Sequence, residues 1–301
     1  MSKFRLILTS VTVMGFTTMF SAAIAQEPAT DTVADDYPRI TDADPTRDVA
    51  YPIAVAVDHS TDAPVVYTVD LELPGVWKST AGETTLFHGG TKYLRKPMNR
   101  PRPIATHPGG GILVGDSPTR EIYHITSADQ LKPLNDGFLG IPMALAVSPD
   151  GETIYVGDAE RRATFKLPIG GGQPELVARV NARGLAFADD HTLYAVTPDA
   201  DAVVSIDVRS GDTEVICGDR PFEYPGGLVW MGDYGLVSDV YAKALWKFTA
   251  DGKVEKWIEG DPFTGPVLIA AGGGKVYVPD PRSKQVYRID PSDKSIEKML
   301  P

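Results

Sequence analysis

Between Lys92 and Arg102 the chain places five cations (Lys92, Arg95, Lys96, Arg100 and Arg102), and no acid occurs from Thr84 to Gly115. In a chain with a formal net charge of −11 this is a local positive field against an acidic background. Arg183 follows about two repeats later in the same kind of position as Arg102. Two guanidinium forks facing one opening bind a carboxylate or phosphate bidentately, which the point charge of a lysine does not do. The predicted anion-binding residues are therefore Arg102 and Arg183, with Arg100 and Lys96 from the cationic stretch. Tyr224 joins them because it stands just ahead of an apolar strand. Tyr51, Tyr93, Phe222 and Phe263 occupy comparable places and can line a pocket for an amphipathic ligand or pack between neighbouring sheets. The alternative for the arginines is pairing with carboxylates of the same surface.

Other chemistry is less favoured by the spacing. Asp70, Asp116, Asp158, Asp239 and Asp280 recur at one place in each repeat. A ring of carboxylates can hold calcium (Ca²⁺), but an aspartate repeated at the end of a strand more simply caps the turn that follows by accepting backbone N–H bonds. The histidines show no ligand spacing, and none accompanies a serine and an aspartate as a triad would require. His59, His107 and His191 are expected on the surface opposite the cations, and only His88 is expected near them. The single cysteine, Cys217, lies in the apolar run Val215–Cys217 and reads as a packed thiol. One cysteine excludes an internal disulfide, a thiolate zinc cluster and an iron–sulfur site. No catalytic residue is assigned.

These side chains are positioned by a repeat. From Tyr51 onward one pattern returns six times with a period of about 42 residues: an apolar strand, a second strand ending in Asp, an aromatic third strand and a weaker fourth. The clearest copy runs from Pro142 to Gly151, then Thr153–Asp158 and Thr164–Leu167. In the fourth copy Thr197 stands where the others have Asp. Four short strands per unit predict an all-β six-bladed β-propeller with four antiparallel strands per blade. Each sheet has two apolar faces, so neighbouring sheets must stack face to face. Small residues in the first strands (Ala54, Ala56, Ala144, Gly184, Gly227) suit strands crowded around an axis. In such a ring the loops leading into inner strands and the loops between second and third strands share one face. That face receives Arg102, Arg183, Tyr224 and the Lys92–Arg100 stretch. The last blade supplies its own outer strand near Ser295–Leu300, so closure by face-to-face packing is expected. An added edge strand from Tyr37–Thr41 is the alternative.

The rhythm Pro-x-Ala-Leu-Ala-x-x-x-Asp-Gly followed by Ile-Tyr-x-x-Asp, as in residues 142–158, resembles the NHL-repeat and SMP-30/gluconolactonase-like superfamily of six-bladed propellers. The resemblance covers Tyr51 to Leu300. It implies an alternative function, a divalent-metal-dependent hydrolase of a lactone or ester. In that branch Glu and Asn/Asp side chains at the entrances of inner strands hold a cation that polarises the carbonyl or activates water. The matching positions here read Ile53, Arg102, Met143, Arg183, Gly226 and Pro266, none a hard oxygen ligand. A displaced metal set is Asn99, Asn181 and Glu223, with Asp158 or Asp239 adding charge and Ca²⁺ as the cofactor.

The 301 residues include 29 glycines and 25 prolines, a turn-rich composition suited to sheets. The acidic balance argues against nucleic acid as the partner; a small anionic molecule or a protein is expected. Residues 1–25 read as a signal peptide: Lys3 and Arg5, an uncharged apolar stretch from Leu6, and Ala23–Ala25 as the cleavage site. The mature chain is then exported, periplasmic or secreted, with no membrane attachment. Residues 26–50 are expected to be an acidic leader or linker, with a strap across the domain as the alternative for its end, and 51–301 to form the propeller.

Overall fold

In the computed structural model, residues 48–61, 63–94 and 96–300 are described. The chain divides by its contacts into Met1–Asp36 and Tyr37–Pro301, and every described residue lies in the second unit. The signal peptide, most of the acidic leader, the Tyr37–Thr41 strand and Arg95 lie outside the described residues. No helix among the described residues is long and apolar enough to cross a membrane.

Six four-stranded antiparallel sheets follow one another in sequence order. Their inner strands are Pro52–Asp58, Pro101–Thr106, Pro142–Val147, Gly184–Phe187, Pro225–Trp230 and Ala270–Gly272. Second strands are the most buried, as Val65–Asp70 and Ile112–Asp116 show, and outer strands such as Gln130–Pro133 the least. That gradient follows from geometry. Blades packed on both faces need continuous apolar runs, whereas the circumference meets water. The core is accordingly divided into clusters lying between adjacent blades, such as Ala144, Tyr155, Ala182, Leu193 and Ile206 between the third and fourth. Each fully buried Leu or Ile in such a cluster contributes roughly 1.5–3 kcal/mol.

Crowding at the axis explains the small residues there. A Cβ added to Gly184 would lie 2.5 Å from the Leu228 amide nitrogen, and one on Gly227 would lie 2.7 Å from that of Ile269. Only glycine permits this approach between inner strands.

The last sheet is built wholly from residues after Pro266, so the ring closes without strand exchange among the described residues. Closure is by packing of Val49, Val55, Val66 and Trp77 against Tyr277, Val286 and Leu300. A single parallel bridge between Ala54 and Leu268 joins the two inner strands. Gln285 pins the chain end, donating to the Leu300 carbonyl at 3.1 Å and accepting from its amide at 2.7 Å. The end of the acidic leader is docked as well, with Val49 buried and the Ala50 amide bonded to Asp70.

Candidate functional site

The recurrent aspartates hold the loops of one face, here the upper face, in place. Asp158 has zero exposure and accepts four backbone N–H groups: Gly140 at 2.6 Å on one oxygen, Ile141, Glu160 and Arg161 at 3.0–3.1 Å on the other. Two donors come from the loop leading into the blade and two from its own turn. One carboxylate thus staples both upper loops of a blade. Asp70 does the same with Ala50, Tyr51, Glu72 and Leu73, and Asp239 and Asp280 follow the pattern. Capping is the role of this set, and its oxygens are occupied by the backbone. Burial pushes Asp70 and Asp116 above the usual carboxylate range, opposed by those N–H bonds.

The long connection before the second blade is likewise ordered from within. Met98 is fully buried, the Thr91 amide donates to the Met98 carbonyl, and Asn99 Nδ2 donates to the Thr91 carbonyl at 3.0 Å. This buried anchor leaves Lys92, Tyr93 and Leu94 exposed and delivers Arg100 and Arg102 to the axis.

Inside the ring the throat is lined by Ala54, Pro103, Ala144, Gly184, Gly227 and Leu268, with Val55, Ile104, Leu145, Leu185, Leu228 and Ile269 below. Its cavity is about 50 Å³, room for water and not for an organic ligand. Toward the lower face it widens to about 260 Å³ beside Phe187 and Trp230. The residues one step above the throat are Ile53, Arg102, Met143, Arg183, Gly226 and Val267. The sixth differs from the expected Pro266. Leu268 is the residue that reaches the throat, donating its amide to the Ile53 carbonyl, so the register of the last blade shifts by one.

Arg102 and Arg183 stand two stations apart on this mouth, with Met143 between them, and both are half-buried. Burial pushes the Arg102 guanidinium below its ordinary pKa, and the charges of Arg100 and Arg183 add to that push. The hydroxyls of Tyr224 and Tyr51 act the opposite way. Among the described residues none of Arg100, Arg102 and Arg183 has a carboxylate within ion-pair distance. The outer arginines of the same face behave otherwise. Arg120 grips Glu160 of the next blade at 2.9 and 3.0 Å, and Arg162 grips Asp199 at 3.0 Å twice. Arg161 lies 4.4 Å over the Phe138 ring and bonds the Phe138 carbonyl. Arg120 and Arg162 are matched by carboxylates of the next blade, and among the described residues Arg100, Arg102 and Arg183 are not.

The expected aromatic set divides. Phe222 and Phe263 are buried between blades, whereas Tyr51, Tyr93 and Tyr224 are open to solvent. Tyr241, which the repeat did not single out, joins Tyr224 with ring centroids 5.0 Å apart at 34°. The only signal in sequence is its place two residues after a capping aspartate. Lys96 is half-buried in the anchored connection and holds a partner there.

The three residues expected to hold a metal come from three different loops. Asn99 and Asn181 are buried and Glu223 is exposed, its backbone amide bonded to Asp239. Asn181 Oδ1 has no hydrogen-bond partner. No group of three or more His, Cys, Asp or Glu side chains able to hold a metal occurs among the described residues. Ca²⁺ takes six to eight oxygens, several of them carboxylate. Two carboxamides and one exposed carboxylate, beside two guanidinium groups at the strand entrances, do not fit it.

Cys217 is buried and its thiol is pushed up to about 11 by that burial, consistent with a packed side chain. The histidines differ from expectation in one respect. His107 and His124 meet, their rings stacked at 3.7 Å and 14°, because the hairpin after the inner strand folds back over the third strand. Gly109 N–H donates to His107 Nδ1, and His124 Nε2 bonds the Gly110 carbonyl. Burial, with the charge of His124, pushes His107 below its ordinary pKa. His59, His107 and His191 lie in lower-face hairpins as expected, and His88 is buried in the outer strand of the first blade.

No protein-family model and no curated protein sequence matches the chain. Solved structures do match in fold. A gluconolactonase from Xanthomonas campestris is 16% identical with a TM-score of 0.65, over 84% of this chain and 87% of that one. Virginiamycin B lyase from Staphylococcus aureus is 15% identical with a TM-score of 0.62, over 84% and 85%. A nidogen/laminin complex is 15% identical with a TM-score of 0.64, over 76% and 91%. The propeller fold is shared with a gluconolactonase, a virginiamycin B lyase and a nidogen/laminin complex alike, and the fold does not choose among their roles.

Proposed function

We propose that this protein is an exported binding propeller that holds a small anionic ligand, or an anionic group of a protein partner, at the upper mouth of its channel. Arg102 and Arg183 are the principal ligands, with Arg100, Lys96 and Tyr224 around them. One observation carries the reading: Arg102 is half-buried, opposed by two like charges, and has no carboxylate beside it among the described residues. A desolvated cation in that state is stabilised by any bound anion, and more so when the anion bridges two forks. The narrow throat places the ligand above the ring rather than inside it. Export rests on the basic, apolar and small-residue order of residues 1–25.

Thermal denaturation with inorganic phosphate and with acetate tests the reading. At a hundredfold excess over Kd, binding adds about 2.7 kcal/mol, or about 5–10 °C in Tm for a domain of this size. The rise is expected to vanish in Arg102→Ala/Arg183→Ala and to persist in Arg120→Ala, a rim residue. An unchanged rise in the double variant refutes it.

The rival is a divalent-metal hydrolase of a lactone or ester, which the fold neighbours suggest and the donor set does not supply. Calcium binding in the micromolar range, lost in Asn181→Ala or Glu223→Ala, is the result that would favour it.

A further inference from the structure

The mouth carries more than charge. Tyr224 and Tyr241 are 49% and 58% exposed, and Tyr51 is 37% exposed. Folded chains leave a single tyrosine at the surface often enough, but here the half-open rings gather at one opening. Tyr224 precedes the inner strand that begins at Pro225, and the Val240 amide donates to its carbonyl at 3.0 Å, so the loop bearing Tyr241 is fastened beside it. The Tyr224 and Tyr241 rings are tilted against each other with centroids 5.0 Å apart. Tyr224 also lies close enough to Arg102 for its hydroxyl to bear on the guanidinium. An aromatic pair and two cationic forks with no carboxylate partner among the described residues therefore share one rim. Directly beneath them the throat is lined by apolar side chains and is closed to anything larger than water.

Resting on the anion-binding reading above, we infer that the ligand is an aromatic anion, an aryl carboxylate or aryl phosphate, whose charged head sits on Arg102 and Arg183 and whose flat ring stacks on Tyr224. An aliphatic acid of the same charge satisfies the forks and leaves the platform wet. A flat ring gains the stacking and offset edge contacts that a saturated ring of equal size cannot make.

Isothermal titration of the full mature chain with benzoate, cyclohexanecarboxylate and acetate separates these contributions. Benzoate is expected to bind about tenfold more tightly than cyclohexanecarboxylate, the upper part of the range for an aromatic pair. Tyr224→Ala should remove that preference, and Tyr224→Phe should keep it, since the ring and not the hydroxyl is responsible. Circular dichroism melting of both variants confirms the fold, which an exposed side chain should not disturb. Equal affinity for benzoate and cyclohexanecarboxylate overturns the aromatic inference and leaves the anion site standing. Failure of all three probes and of phosphate overturns both.

Discussion

Replacing Asp158 by Asn exchanges one buried oxygen for an amide nitrogen and removes one charge at a position with no exposure. Three N–H donors, from Ile141, Glu160 and Arg161, share Oδ1, and Gly140 N–H points at Oδ2 from 2.6 Å. With the amide oxygen placed as Oδ1, three charge-assisted bonds become neutral ones, a loss of about 1 kcal/mol each. The fourth donor then faces an NH₂ group, and an unsatisfied buried donor costs about 1–3 kcal/mol. Relief of the buried charge returns part of this, so the net loss is about 3 kcal/mol. Thr197 provides the internal comparison. It accepts one amide, from Asp199, and donates to the Asp201 carbonyl, so Thr197→Ala should cost only about 1–2 kcal/mol. Urea denaturation with unchanged slope measures both. A domain of this size should lose about 6–12 °C in Tm in Asp158→Asn. If Asp158→Asn costs no more than Thr197→Ala, or stabilises, the carboxylate is not the staple of the upper loops and the repeated aspartates need another explanation.

The Cys217 thiol, pushed up to about 11 by burial, should resist alkylation by iodoacetamide at pH 8 in the folded chain and react at once in denaturant; fast native labelling would refute its packed role. Acid should loosen the two faces in a set order. On the lower face Asp150, held low by Ser148 and Glu152, Asp189, held low by the His191 and Thr192 amides, and Asp251, held at about 2 by Lys253 and Thr249, contribute stability above their unfolded value of 3.8 that is lost as pH falls through the folded value. Asp70 and Asp116 are raised by burial, so their contribution runs the other way: it is present below 3.8 and lost as pH rises through the folded value. Hydrogen exchange between pH 5 and 2 should therefore show the Glu152 and Thr192 amides losing protection before those of Leu73 and Arg100, and the reverse order would contradict the assignment.

The amino-acid sequence alone determined the blade and its repetition. Short apolar runs, a turn and an Asp at the end of the second strand act within some forty residues, so six copies declare themselves along the chain. The capping role of Asp70, Asp116, Asp158, Asp239 and Asp280 was legible for the same reason, as was the axial crowding signalled by Gly184 and Gly227. Proximity of Arg102 and Arg183 followed from closing the ring. Pairing across blades did not. Nothing local says that Arg120 and Arg162 find Glu160 and Asp199 while Arg102 and Arg183 find no carboxylate among the described residues, because each outcome depends on which side chains two independently formed sheets bring within 4 Å. Tyr241 reaches Tyr224 and His107 stacks on His124 within single blades, through loop approaches that no strand pattern specifies, and Val267 replaces Pro266 at the mouth where the last blade meets the first. Strand and turn are decided by neighbours along the chain. A binding rim is decided by neighbours across it, and only the packed ring supplies those distances.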